Sequence, residues 1–222
     1  MTIFDWSFAW HILPVLGHAS LITVEATLIS FCLAAVLGLI LAILRIAPSP
    51  LISVPTAVVV EIIRSTPLLI QVLFIYFGLP RLGLVLDPLP AGIVAIGIHY
   101  ATYCSEVYRA GLLSIPRGQW EACIALNLSG YDTFRKVLIP QAIPPVVPAL
   151  GNYLIALFKD TPLLSAIAVV ELMQTAKIIG SQDFRYVEPI TLVGLFFLIF
   201  SLIAAFAVRH VEAWLRTRQG NA

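Results

Sequence analysis

Charge is the scarcest commodity in this sequence. Only 11% of its 222 residues are Asp, Glu, Lys or Arg, against roughly 25% in a soluble domain. So few polar groups cannot cover a water-soluble globule. An excess of one sign is missing too, since 13 basic and 12 acidic residues leave a formal +1. That excludes a nucleic-acid binder, which would carry a basic patch or stripe. Cysteine is sparse: Cys32, Cys104 and Cys123 stand far apart, with no CxxC pair and no basis for a disulfide framework. No GxxxxGK[ST] phosphate loop occurs, so this chain is not expected to hydrolyse ATP itself. No GxSxG or HExxH supports an intramembrane hydrolase. The first residues lack a basic n-region, so a cleaved signal peptide is not expected. Apolar residues, in contrast, make up 60% of the chain. That rules out disorder and points to an integral membrane protein.

The gaps between charges locate the spans. Uncharged stretches run over residues 26–44, 65–80, 88–105, 137–158 and 189–208, and a helix needs about 20 mainly apolar residues to cross the hydrocarbon core. The expected fold is therefore an all-α membrane protein with five transmembrane helices, at about 19–44, 54–80, 89–113, 141–160 and 188–209. Residues 6–24 read as an interfacial lead-in anchored by Trp6, Phe8 and Trp10. Residues 161–170 are apolar but too short to span, and suit a re-entrant or surface helix. With the N-terminus outside, Arg45, Arg109, Arg117, Arg135, Lys136, Arg209, Arg216 and Arg218 fall inside. Arg81, Lys177 and Arg185 fall outside. This positive-inside bias places the C-terminus inside. No repeat or linker divides the chain, so residues 1–222 read as one membrane domain.

The longest inner loop, residues 114–140, carries a pair of short helices. Pro116 suits a helix start, and Trp120, Ile124 and Leu128 recur at i, i+4 and i+8 as one apolar stripe. After a break at residues 127–130, residues 131–138 read as a second short helix with Phe134 and Val137 inward. Helices too short to span, on the basic side of a membrane protein, are a candidate docking surface.

At this loop the sequence resembles a known family. Glu121-Ala-Cys, then Asn127, then Val137-Leu-Ile-Pro140 is similar to the EAA loop of ABC-importer permeases. Cys123 stands for an alanine and Asn127 for a glycine. Asparagine is the best non-glycine residue for a left-handed backbone, so the turn can survive. The resemblance extends to Glu61-Ile-Ile-Arg-Ser-Thr-Pro-Leu-Leu-Ile-Gln71, Tyr76-Phe-Gly-Leu-Pro80, Ser105-Glu-Val-Tyr-Arg-Ala-Gly111, Ile115-Pro-Arg-Gly-Gln119 and Lys159-Asp-Thr-Pro-Leu163, as in the polar amino-acid branch. Within that branch, His99-Tyr-Ala-Thr-Tyr-Cys-Ser-Glu106, Ala125-Leu-Asn-Leu-Ser129, Ile139-Pro-Gln-Ala-Ile-Pro-Pro145 and Glu171-Leu-Met-Gln-Thr-Ala-Lys-Ile-Ile-Gly180 look most like ectoine and hydroxyectoine permeases.

The resemblance implies half of a translocation path in the bacterial inner membrane, with no cofactor in this chain. ATP and magnesium would be bound by a partner ATPase dimer, and an extracytoplasmic solute-binding protein would make the main substrate selection. A second, homologous permease, distinct from this one in ectoine-type systems, would complete the path. Arg117, Gly118, Glu121, Ala122, Asn127, Leu128 and Gly130 would form the ATPase-coupling surface. The substrate would be ectoine or hydroxyectoine, or alternatively a polar L-amino acid such as glutamine, arginine or histidine. A passive channel would explain the spans but leave the loop without a role.

Polar groups inside spans are costly and usually face the bundle interior. Glu61 and Arg64 lie three apart on one helical face, either as an ion pair or as part of the path. His99, Tyr103 and Glu106 lie at i, i+4 and i+7, with Arg109 beyond them. They form either a hydrogen-bonded seam pairing Glu106 with Arg109, or a lining. Lys159, Asp160 and Thr161 close the fourth span, and Glu171 follows the short apolar segment. Asp160 or Glu171 with Lys159 could hold a zwitterion, or simply pair locally. His99 has no second His or Cys at ligand spacing, so a metal site is not expected.

Overall fold

The computed structural model describes residues 4–220. The side chains of Arg216 and Arg218, counted above among the inner charges, lie outside what it describes. Every regular element is helical.

Helix α1 (Trp6–Arg45) is continuous over 40 residues, about 60 Å. The expected lead-in over residues 6–24 is therefore not a separate element. Asp5 caps this helix by accepting the N–H groups of Ser7 and Phe8, and the helix continues through Pro14 in its third turn. The N–H of Phe8 and the Arg185 guanidinium hold the Asp5 carboxyl below its usual range. Trp6 and Trp10 are exposed, as interfacial anchors are. Phe8 instead packs inward beneath Arg185.

The second expected span, 54–80, is broken. Helix α2 (Pro50–Ser65) ends at Thr66–Pro67, where proline removes a donor and the residue before it is pushed to extended backbone. The chain turns by 103° into α3 (Leu68–Leu73) and a tight helical run ending at Leu82. Helix α4 (Pro88–Leu113) follows, buried along most of its length. The inner loop holds α5 (Arg117–Ala125) and α6 (Gly130–Asp132), and a wide turn then feeds α7 (Ile139–Asp160). Pro140, Pro144, Pro145 and Pro148 lie within the first three turns of α7. Residues Thr161–Ile167 form a tight 3-10 run, packed against α3 and α4 with Thr161, Leu164 and Ile167 buried. Helix α8 (Leu172–Asp183) and the long α9 (Val187–Gly220) complete the described chain.

Among the described residues, three helical runs are long and apolar enough to cross a membrane: Trp6–Arg45, Gly130–Ile167 and Val187–Leu215. The bent pair makes a fourth if it counts as one span. Helix α4 is 26 residues long, about 39 Å, but its polar residues dilute its apolar character. It is the centre of the bundle, touching α1, α2, α3 and α7.

The α1–α4 seam is built from small residues. Ser30, Ala34, Gly38 and Ala42 recur every fourth position on the buried face of α1, opposite Ala91, Ala95, Ala101, Cys104 and Ser105 of α4. Gly38 is where the backbones come closest. A Cβ there would lie 2.6 Å from the Cβ of Cys104 and 2.8 Å from the carbonyl oxygen of Ala101. Small residues replace hydrophobic pressure as the reason helices associate in lipid. The large apolar residues point outward instead, among them Leu28 and Val36 on α1 and Leu198, Leu202 and Phe206 on α9. Phe158 of α7 meets Phe197 and Phe200 of α9, an ordinary helix-packing contact.

Candidate translocation site and coupling surface

Glu106 of α4 gathers three arginines from three helices. Its Oε1 accepts Arg45 Nη1 of α1 at 2.7 Å and Arg64 Nη1 of α2 at 3.1 Å. Its Oε2 accepts Arg109 of α4 through Nη2 at 2.9 Å and Nε at 3.1 Å. The expected Glu106–Arg109 pair is present, but the expected Glu61–Arg64 pair is not. Glu61 is exposed, and among the described residues it accepts the Ser65 hydroxyl at 3.4 Å and forms no ion pair. The reason lies in tertiary packing: α2 turns Arg64 onto α4, where a carboxylate is already flanked by two guanidiniums.

One helical turn past Pro67, Gln71 repairs the break in the second span. Its amide Nε2 donates to the carbonyls of Ile63 (2.7 Å) and Thr66 (3.2 Å) and to Thr66 Oγ1 (2.6 Å). Those carbonyls belong to the end of α2, which the proline leaves without helical donors. With Nε2 so engaged, Oε1 faces His99 Nδ1 at 3.2 Å, so His99 carries its proton on Nδ1 in this arrangement. His99 is thus a seam residue joining the elbow to α4.

Beside this seam lies a cluster of tyrosines. Tyr100, Tyr103 and Tyr153 sit with ring centroids 5.5–6.3 Å apart, and His99 stacks at 5.3 Å from Tyr103. Arg64 lies over the Tyr103 ring, 5.6 Å from its centroid. At the far side the Tyr100 hydroxyl donates to Asp160 Oδ2 at 2.7 Å. The cluster therefore has a cation on one flank and a carboxylate on the other. Sequence reasoning missed Tyr100, Tyr153, Gln71 and Arg45. The signal was spacing: Tyr100 and Tyr103 lie at i, i+3, and Tyr153 and Asp160 at i, i+7, each pair on one helical face.

The remaining residues separate. Lys159 is exposed and forms no ion pair among the described residues, so the expected Lys159–Asp160 pairing is absent. Thr161 is buried, its hydroxyl donating to the Phe158 carbonyl at 2.7 Å. Glu171 is fully buried and caps α8 by accepting Gln174 N (2.8 Å) and Met173 N (2.9 Å). Thr23 of α1 bridges it to the Leu172 N–H. This is a built helix cap and does not bring Glu171 to Lys159. Among the described residues no cluster of three or more His, Cys, Asp or Glu could hold a metal.

At one end of the bundle, α5 stands proud of it. Trp120 packs edge-on to Phe134, Gln119 meets Gln141 of α7 at 3.1 Å, and Cys123 is buried beneath. The expected stripe is rotated: Ile124 is 78% exposed and so points outward, joined by Leu126 at 72%. Glu121 is exposed beside them. Asn127 has φ 50°, the left-handed conformation expected for it. The N–H of Leu128 reaches the carbonyl of Cys123 and that of Asn127 the carbonyl of Ile124, a Schellman closure of α5. Ser129 then caps the next turn, where Lys136 and Ser129 hold the Asp132 carboxyl below its usual range.

The fold is a bundle of helices able to cross a membrane, with an exposed helix pair at one end. Residues 5–217 match the family described as the inner membrane component of binding-protein-dependent transport systems, and the chain belongs to it. A probable amino-acid ABC transporter permease of Sinorhizobium fredii is 43% identical, covering 96% of this chain and 93% of that one. The glutamine transport system permease of Escherichia coli is 36% identical over 94% and 96%. The arginine transport system permease of Bacillus subtilis is 32% identical over 96% and 98%. A crystal structure of an amino acid ABC transporter with histidines superposes with a TM-score of 0.89 at 30% identity, covering 96% of this chain and 99% of that one. The chain is thus a multi-pass, non-catalytic inner-membrane subunit of the polar amino-acid ABC importer type. Such a system implies an ATPase and a binding protein as partners.

Proposed function

We propose that this chain forms one half of the path of an importer for polar L-amino acids, and that the tyrosine cluster between Arg64 and Asp160 is where the solute rests in transit. The flanking charges carry this reading. An amino acid presents a cation and a carboxylate, and the cluster offers Asp160 to the first and aromatic faces that attract it. Relatives named for glutamine and arginine support the same substrate class. Arg64, His99, Tyr103 and Asp160 line the path, while Glu61 and Lys159 stand exposed at its rim. Glu106, Thr161 and Glu171 brace its walls.

In this reading α1, the bent pair, α4, α7 and α9 are five spans with the N-terminus outside and the C-terminus inside, consistent with the basic inner loops. A second, homologous permease, distinct from this chain, completes the path. ATP and magnesium belong to the ATPase dimer, which grips Arg117, Gly118, Glu121, Ala122, Asn127, Leu128 and Gly130. ATP-driven closure of that dimer shuts the inner side and opens the outer side to a loaded binding protein. The second reading, ectoine or hydroxyectoine, rests on the motifs around His99, Asn127 and Pro144, and a zwitterion of that kind suits the same flanks.

The test is ATP hydrolysis by the reconstituted complex with its cognate binding protein and L-glutamine, L-arginine, L-histidine, ectoine or hydroxyectoine. Stimulation by an amino acid and not by ectoine is expected. Stimulation by ectoine alone would transfer the site to the second reading. Uptake by the membrane chains without ATPase would overturn the importer.

A further inference from the structure

We infer that Arg64 reads the carboxylate of the transported solute and, in doing so, leaves Glu106, so that the solute itself loosens α2 from α4. This rests on the reading of the tyrosine cluster as the solute site. It assigns that site one further residue and a consequence of occupancy.

The first support is the stoichiometry at Glu106. Both carboxylate oxygens are already served without Arg64: Oε1 by Arg45 at 2.7 Å and Oε2 by two nitrogens of Arg109. Arg64 shares Oε1 at the longer distance of 3.1 Å. Three guanidiniums on one carboxylate leave a surplus of positive charge, and the neighbouring acid does not absorb it. Glu61 faces a groove it shares with Arg45, and forms no ion pair with Arg64 among the described residues. A surplus cation held by a shared oxygen is the one an incoming anion removes most cheaply.

The second support is access. The Arg64 side chain is 32% exposed, against 14% for Arg45. It already leans over Tyr103, whose ring adjoins Tyr100 and Tyr153. A solute lying on those rings with its cation at Asp160 brings its carboxylate to the Arg64 side. A guanidinium accepts a carboxylate through two parallel N–H bonds, more strongly than it holds one shared oxygen.

The third support is position. Arg64 is in the last turn of α2, immediately before the 103° elbow. Gln71, just past the elbow, holds His99 of the same helix α4. The bent pair is therefore tied to α4 on both sides of its bend, at Glu106 and at His99, about two helical turns apart. Transfer of Arg64 from Glu106 to a solute releases the first tie and keeps the second. Occupancy becomes a change in how α2 seats on the bundle, with Arg45 and Arg109 still neutralising Glu106.

The experiment uses the permease–ATPase complex in lipid nanodiscs without binding protein, so that the membrane site alone selects. The probes are L-arginine and L-glutamine, each compared with its decarboxylated amine, agmatine and 4-aminobutanamide. In Arg64→Gln, affinity for the amino acids falls by about 10- to 100-fold, and affinity for the amines stays within about threefold. Arg64→Lys keeps part of the preference, and serves if the Gln variant does not assemble. Arg45→Gln, which removes a different guanidinium from Glu106, leaves the acid-over-amine preference intact.

Equal losses for acids and amines in Arg64→Gln would make Arg64 a structural residue and overturn the inference. An unchanged preference would do the same. Loss of amine binding in Asp160→Asn alongside either result leaves the tyrosine site standing and rejects only the role of Arg64. No binding of any probe to the wild-type complex up to about 10 mM, weaker than the millimolar affinity of a marginal site, would reject the tyrosine site and this inference together.

Discussion

At the scale of single residues, the elbow in the second span shows how one side chain makes a costly backbone feature tolerable. Pro67 takes away a donor, and Thr66 leaves the helix, so carbonyls at the end of α2 face a region with little water. Gln71 meets two of them and still has an oxygen for His99. Irregular backbone at membrane depth survives only where such groups are satisfied from inside the protein. Gln71→Leu keeps the volume and removes the amide donors; Ile63 keeps the Thr66 N–H and hydroxyl, while the Thr66 carbonyl loses its side-chain donor. It should destabilise the complex by about 0.5–1.5 kcal/mol, the net worth of an intramolecular hydrogen bond. Differential scanning fluorimetry of the detergent-solubilised complex measures this, and an unshifted melting temperature would mean that water replaces the amide. In the sequence Gln71 reads as one more residue in an uncharged run. Its role depends on a 103° bend that brings Ile63 back within reach, and no local periodicity encodes that.

At the scale of elements, legibility followed the kind of force that sets each helix. The helices expected at 89–113 and 141–160 were readable because uncharged runs mark them, and α4 and α7 begin and end close to those positions. The lead-in over residues 6–24 was misread. The helix runs through Pro14, whose ring removes one backbone N–H, and Asp5 supplies the cap at its start. The stripe on α5 was rotated for a related reason. Trp120 and Leu128 turn partly inward, while Ile124 is left for a partner, and period alone does not say whether an apolar face is covered by this chain or by another. The α1–α4 seam went unnoticed because it is written in alanine, serine and glycine, which carry little hydrophobic signal. Gly38→Ala tests it. The added methyl would meet the Cβ of Cys104, the carbonyl of Ala101 and the N–H of Ser105, two of them backbone atoms that cannot yield independently. A loss of about 1–3 kcal/mol is expected from this overpacking, seen as a lower melting temperature and a smaller yield of assembled complex. Gly194→Ala on α9, where nothing lies within 4 Å of the added carbon, is the matched control and should be neutral.

At the scale of the whole molecule, the two candidate surfaces are joined by one continuous helix. Helix α5 is fastened to the start of α7 through Trp120–Phe134 and Gln119–Gln141. Helix α7 then runs 22 residues, about 33 Å, to Tyr153 and Asp160 at the aromatic cluster. A push on α5 therefore arrives at the tyrosines as a displacement of α7, without any intervening loop to absorb it. The outer face of α5 should accordingly carry coupling and little stability. Glu121 is the sharpest probe, because it is exposed and forms no ion pair among the described residues, so this fold loses nothing when it changes. Glu121→Lys should insert, extract and melt like the wild type. It should also place a cation where the ATPase would meet a carboxylate, weakening that contact by at least about tenfold, the equivalent of 1.4 kcal/mol. Co-purification of the ATPase, and solute-stimulated ATP hydrolysis in proteoliposomes, should both fall while the membrane chain remains at its normal level. Normal stimulated hydrolysis in this variant would show that α5 does not meet the ATPase through this face, and the line of force along α7 would then have no origin.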